Sequence, residues 1–404
     1  MDPIEAMENY LLVGHPRIGQ VSYCTEWPPA MLKDAALCTL QLQEFLLENG
    51  MTLQDAYPWN ILFDGSTPVF VDFTSIVPDT NNIIWKATSQ FDAFFAYPLL
   101  LSDLKKGFVA RSLLKDVIGG CTLATWVGLL SFLDFLKRPR WVSRLAISRW
   151  IEKFIDNRPE LKKSLRAKLE NVASKNKVSK EVKLKYVRNL RRKIEGLCVS
   201  GAGDAWHDYY ARQDTEHDFD KKIQIIDTLI ERFKPSTVTD LGCNTGRFSI
   251  IAANKGAKVF AIDSSETCTN ELYQYAKSKK LPITPLISDL VCVQSSYGIM
   301  GKQFPGILER VSSDLVLFLG IMHHIHIAGR QSFSQIAEML SMVAKKVLIF
   351  EYVDLTDPNN DLIGKGREIS YSQELVIEHL SKYFSKIEVV PSDRSTRTLL
   401  ICQR

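Results

Sequence analysis

Val238-Thr-Asp-Leu-Gly-Cys-Asn-Thr-Gly-Arg-Phe248 runs an apolar strand into a loop with Gly242 and Gly246, and the loop into a helix. Glycines let a backbone approach a ligand closely and accept positive φ. The helix that follows offers N–H groups with no partner in its first turn. The pattern Asp-x-Gly-x-x-x-Gly departs from the Gly-x-Gly-x-x-Gly of dinucleotide sites, whose glycines make room for a pyrophosphate. Asp240, opening the loop, repels phosphate and suits a cationic ligand. The segment is therefore read as a nucleoside-cofactor loop in an α/β, Rossmann-like domain.

Working outward, Ala257-Lys-Val-Phe-Ala-Ile-Asp263 reads as a second buried strand. Its closing carboxylate lies roughly 20 residues downstream, where doubly wound folds take ribose hydroxyls. Ile283 to Asp289 is a third strand. Asp314 to Gly320 is a fourth, apolar enough for burial on both faces, and it leads into Ile321-Met-His-His324. Lys346 to Glu351 is a fifth, and Ile387–Val390 with Thr398–Cys402 form a closing antiparallel pair. The carboxylates fall at strand C-terminal ends, the edge where open α/β sheets bind ligands. The plain alternative is a Rossmann-like domain with ordinary acids at its strand ends.

On these residues the chain resembles the class I S-adenosylmethionine-dependent methyltransferases, whose domain has seven strands. The resemblance implies S-adenosylmethionine as cofactor, with Asp240, Gly242, Asn244 and Gly246 at its amino-acid end. It implies Asp263 at the ribose hydroxyls, Asp289 at the adenine amino group, and Ser264, Leu290 and Gly320 as further cofactor-binding residues. Cys243 is read as a small side chain fitting a tight turn.

Composition agrees with a folded chain of two or three domains: 404 residues, 46% hydrophobic. No run reaches the roughly 18 to 20 apolar residues that span a bilayer. The opening Met1-Asp-Pro-Ile-Glu lacks a basic region followed by an apolar one. Eight cysteines without a Cys-x-x-Cys pair read as reduced thiols, so a cytoplasmic location is expected.

Charge is unevenly spread. Lys137 to Lys193 holds 20 Lys plus Arg against 5 Asp plus Glu, whereas the whole chain carries +4. Trp150, Ile151, Phe154 and Ile155, continued by Leu161, Leu165 and Leu169, are spaced as one apolar helical face. The stretch reads as a basic helical connector over 136–200, either a solvated hairpin or a footprint for nucleic acid or another polyanion.

Upstream, residues 1–135 are expected to form an α+β domain, with a helix over Leu37–Leu47 stopped by Asn49-Gly50. Asp55-Ala-Tyr-Pro-Trp-Asn60, then a hairpin, then Asp72-Phe73, resembles the catalytic loop of protein and aminoglycoside kinases, with its base and two metal-binding residues. Only 54 residues precede Asp55, no Gly-rich loop is among them, and Thr74 stands where the kinase glycine would be. A structural or substrate-handling role is therefore expected of this loop, and a kinase-like phosphotransferase is the remoter alternative. Nearly end to end, the chain is similar to a family of bacterial proteins in which such a segment precedes a class I methyltransferase domain, a rhizobial host-specific nodulation protein among them. Carrying that similarity are Ser22 to Trp27, Met31 to Ala36, Asp55 to Phe73, Gly242 to Gly246, His323-His324, and Phe350 to Asp354 with Asp357-Pro358.

Methyl transfer is an in-line displacement, so its demands are alignment, desolvation and, for a hydroxyl or protonated amine, a base. His323 and His324, following the fourth strand, are the candidate bases; the alternative is that both only hold the loop. His326 adds a third imidazole, but without nearby carboxylates no metal site is expected. Trp206, Tyr209 and Tyr210 are read as a lid over the cofactor, or as a staple fixing the next helix, Phe219–Phe233. Glu351 either faces the acceptor or pairs with a cation. The domain of residues 201–404 is thus expected to methylate a small-molecule or carbohydrate-like acceptor. A methyltransferase that binds RNA through residues 137–193 is the alternative.

Overall fold

The computed structural model describes residues 6–7, 10–11, 14–80, 83–131, 133–134, 147, 150–151, 153–164, 178–200, 218–357 and 370–404. Trp206, Tyr209, Tyr210, Pro358 and residues 165–177 lie outside them.

The apolar runs become one seven-stranded sheet. Its strands are Thr237–Leu241 (β1), Lys258–Asp263 (β2), Ile283–Ile287 (β3), Ser313–Phe318 (β4), Ala344–Val353 (β5), Lys386–Pro391 (β6) and Arg397–Gln403 (β7). Their spatial order is β6-β7-β5-β4-β1-β2-β3, parallel except for β7, which runs antiparallel to both neighbours. β3 stops two residues short of the expected Asp289, which falls in the turn that follows. The order reverses between β1 and β4, and such a switch point opens a crevice at the strands' C-terminal ends.

Alternation along the strands assigns the two faces. Leu315, Leu317, Val347 and Ile349 join one apolar cluster, with Ile226, Leu229 and Ile230 of helix Asp218–Phe233 and Phe248, Ala252 and Ala253 of helix Arg247–Asn254. Val316, Phe318, Leu348 and Phe350 face the other way. They join helices Phe333–Val343 and Gln373–Leu380 in a core that continues, without a break, into residues 24–126.

That N-terminal part is built on helix Pro29–Glu48, which starts earlier than expected because Pro29 fits the first helical turn. Its own N-cap supplies no side-chain bond. Asn270, from the helix Glu266–Lys279 that follows β2, accepts from the Ala30 N–H at 2.8 Å instead. Gln43, fully buried on the inner face, bonds the Thr52 hydroxyl at 3.0 Å and the Leu53 N–H at 2.8 Å.

Two expectations for 136–200 change. Helix Lys180–Glu195 lies along Pro29–Glu48, and Val187, Ile194, Leu197 and Val199 enter the N-terminal core. The spaced residues Trp150, Ile151 and Phe154 are instead 69%, 45% and 42% exposed, because no described apolar surface covers them. The polyanion reading loses support as well. Lys183 reaches Asp79 at 2.7 Å, Arg188 binds Glu44 at 2.6 Å and Glu48 at 2.9 Å, and Arg191 reaches Glu44 at 3.3 Å. Paired cations offer phosphate far less attraction than the formal surplus suggests. Among the described residues no helix is long and apolar enough to cross a membrane.

Candidate functional site

At the switch point lies a cavity of about 200 Å³. Asp240, Gly242, Asn244, Asp263, Ser264, Asp289, Leu290 and Gly320 line it. Gly246 does not: it stands behind the loop at φ +78°, as the N-cap of the next helix, and an added Cβ would sit 2.4 Å from Leu272. Gly242, at φ +76°, would drive a Cβ to 2.6 Å from Ile321. Positive φ and close packing both demand glycine there.

Each acid is held differently. Asp240, 2% exposed, accepts from the Ser249 hydroxyl at 2.6 Å, and burial pushes its pKa up to about 6. It faces the cavity. Asp263 accepts from the Asn244 N–H at 2.7 Å and the Ser265 N–H at 2.8 Å, so one carboxylate ties the glycine loop to the start of the next helix. Asp289 is exposed and accepts from the Val291 N–H at 2.9 Å.

The adjacent histidines separate. They belong to a short helical turn, where successive side chains diverge by about 100°. His324 lines the cavity, and burial lowers its pKa, so the ring is neutral at pH 7. His323 points inward, 5% exposed, with its Nδ1 unpartnered among the described residues. Burial, His324 and Arg397 together lower its pKa to about 3. The two ring centroids are 4.1 Å apart. His326 stacks on Phe333 at 4.0 Å and bonds the Gln331 carbonyl at 2.8 Å, a packing role. Among the described residues no three His, Cys, Asp or Glu side chains gather as metal ligands.

Two cations of the cavity wall went unread in the sequence. Lys222 donates to Glu351 at 2.6 Å, both side chains almost wholly buried, and its ammonium lies 5.5 Å from the Phe248 ring. Glu351 accepts also from Ser392 at 2.8 Å, so of its two expected roles it takes the cation. A signal existed, since Lys222 falls four residues before Ile226 and seven before Leu229, on the stripe that buries. Arg397 opens antiparallel β7 at the same sheet edge and binds Asp357 at 2.9 Å. No local pattern marks it, because only the sheet pairing brings it there.

In the kinase-like loop, strands Ile61–Asp64 and Thr67–Phe70 form the expected hairpin. Asn60 donates to Asp72 at 3.0 Å, while the other Asp72 oxygen accepts from the Thr74 N–H at 3.1 Å and hydroxyl at 2.6 Å. Asp55 brackets Ser75 with its backbone N–H and carbonyl. With both Asp72 oxygens engaged internally, magnesium-dependent ATP hydrolysis is expected to be undetectable. A phosphate-release assay checks this, and hydrolysis abolished by Asp72→Asn would contradict it.

The seven-stranded order and a crevice at its switch point define the fold as Rossmann-like. Over 397 residues the chain is 30% identical to the nodulation protein NoeA of Rhizobium meliloti (strain 1021), covering 96% of this chain and 81% of that protein. The chain belongs to the NoeA family. No family model matches it. Among solved structures it is similar to a putative O-methyltransferase from Nostoc punctiforme PCC 73102, at 15% identity and a TM-score of 0.37, over 49% of this chain and 60% of that one. It is also similar to magnesium protoporphyrin IX methyltransferase from Synechocystis PCC 6803, solved with bound SAM, at 18% identity and a TM-score of 0.31, over 45% of this chain and 79% of that one.

Proposed function

We propose that the chain is an S-adenosylmethionine-dependent methyltransferase acting on a small-molecule or carbohydrate-like acceptor. The observation that carries this reading is the gathering of Asp240 and Asp263, near the ends of two neighbouring strands, and Asp289, in the turn after a third, around one cavity beside a positive-φ glycine loop. The donor set fits that cofactor. Asp240 would take its ammonium, Lys222 its carboxylate, Asp263 the ribose hydroxyls and Asp289 the adenine amino group. Asn244, Ser264, Leu290 and Gly320 would complete the walls. When bound, S-adenosylmethionine supplies an electrophilic methyl group on a sulfonium.

The chain's own residues would do the rest. Leu319, Ile321 and Ile325 line the cavity and would keep water from the reacting atoms. His324, neutral at pH 7, would accept the proton of an acceptor hydroxyl as its oxygen displaces the methyl group from sulfur, or would take the proton from an ammonium first, freeing the nitrogen lone pair for the same displacement. Gly320 leaves space beside Glu351, whose carboxylate would lie 3.4 Å from an added Cβ. A side chain at 320 would narrow the acceptor's entry.

The test is incubation of the chain with methyl-labelled S-adenosylmethionine and extracts of a host cell, followed by profiling of labelled metabolites. One labelled small molecule, absent from a His324→Asn control, supports the reading; label confined to RNA would favour the alternative acceptor. Asp263→Ala is expected to weaken S-adenosylhomocysteine binding by about 1 to 3 kcal/mol, the loss of an acceptor from buried hydroxyls. Calorimetry reads this directly.

A further inference from the structure

The cofactor cavity takes part of its wall from Ser288, Asp289, Leu290 and Val291, in the loop that leaves β3, and β3 is the edge strand of the sheet. An edge strand presents unpaired N–H and C=O groups, and loops beyond it are among the first parts of a fold to open. Here the edge is covered by the N-terminal part of the chain. The Ile287 N–H donates to the Glu26 carbonyl at 2.7 Å, immediately before Ser288, Asp289, Leu290 and Val291, which all line the cavity. The Thr284 hydroxyl bonds Gln20 at 3.2 Å on the same edge.

The far end of the loop is held by the same segment. Arg310 donates to the Glu26 carboxylate, to the Val21 carbonyl at 2.8 Å and to the Pro305 carbonyl at 2.9 Å, and its guanidinium lies 4.4 Å above the Tyr23 ring. The Glu26 and Arg310 side chains are both almost fully buried. The Tyr23 N–H closes back on the Glu26 carboxylate at 3.3 Å. Tyr23 also meets Tyr297 and Phe304 edge-on, and the Trp59 indole N–H donates to the Tyr297 hydroxyl at 3.1 Å. Residues 288–306 are thus pinned at both ends by residues 20–27 and by the loop that resembles a kinase's.

We infer that Glu26 is a positioning residue for the adenine side of the cofactor site, and that the N-terminal part of the chain is a working component of that site. It acts through β3 and Arg310 and touches no ligand itself. The inference rests on the cofactor reading proposed above. Because coupling between two sites is reciprocal, ligand at the adenine wall must also tighten the docking of residues 20–27.

The experiment combines calorimetry with S-adenosylhomocysteine and amide hydrogen exchange on the full chain. Glu26→Ala is expected to weaken binding by at least about 10-fold, within the usual range of coupling between sites. Exchange should quicken at 287–306 while the central strands β1 and β4 keep their protection. Both variants keep the Ile287 bond, which goes to the backbone carbonyl of residue 26; Glu26→Gln, which also keeps a side-chain acceptor for Arg310, should recover most of the affinity. In the wild type, ligand should slow exchange at 20–27. Should Glu26→Ala fail to fold, Arg310→Gln is read by the same two measurements. Wild-type affinity and unchanged exchange at 287–306 in a folded variant would overturn the inference. Absence of S-adenosylhomocysteine binding to the wild type would instead count against the cofactor reading, and exchange at 287–306 would still decide whether residues 20–27 hold the wall.

Discussion

Replacing His324 with asparagine is expected to lower turnover about 10²- to 10⁴-fold while leaving cofactor affinity nearly unchanged, the signature of a lost base. The geometry favours this residue over its neighbour, since His324 lines the cavity and His323 is turned inward. His323→Asn should therefore cost much less. The pH profile carries the sign. Burial lowers the His324 pKa below the usual 6.5, so its neutral form prevails at pH 7. Turnover should be level from there to pH 8 and fall only on further acidification, as the ring takes up its proton. Full turnover across pH 6 to 8 in both variants would mean that neither imidazole is a base and that catalysis is alignment alone.

Lys222→Met is expected to produce the largest loss of stability, about 3 to 5 kcal/mol, because it leaves Glu351 buried and uncompensated. Urea unfolding measures it. Total stabilities of folded domains run to about 5 to 15 kcal/mol, so the variant would sit near the edge of folding. Changing both partners, with Glu351→Leu added, should restore much of the loss, since a buried pair replaced by apolar side chains is often close to neutral. A double variant as unstable as the sum of the singles would show that Lys222 and Glu351 act separately.

The sheet was legible because its central strands are buried and read as continuous apolar runs, with Asp240, Asp263 and Glu351 at or near the ends of three of them. That property also fixed which edge of the sheet carries the cavity, and with it eight of the residues singled out around the loop. Gly246 was misplaced by its own logic, since it serves the backbone turn and not the cavity wall. Choosing between His323 and His324 needed the turn they occupy, which adjacency in sequence does not fix. Lys222 and Arg397 come from a helix and an antiparallel strand distant in sequence, and only packing brings them to the cavity. Part of the basic stretch is neutralised in a way the local sequence does not show: Glu44, Glu48 and Asp79, which pair with Lys183, Arg188 and Arg191, lie more than a hundred residues upstream. The N-terminal part reads as a separate domain in the sequence, whereas Val187, Leu40, Tyr273 and Phe318 share one core.

Calorimetric titration of the wild-type chain with S-adenosylmethionine, S-adenosylhomocysteine and NAD tests the central claim most directly. The cavity's carboxylates and its loop of Gly242 and Asn244 predict one site per chain for either methyl-cycle ligand, and none for NAD, whose pyrophosphate Asp240 would repel. Saturable binding of NAD, with no heat from either methyl-cycle ligand, would contradict the account.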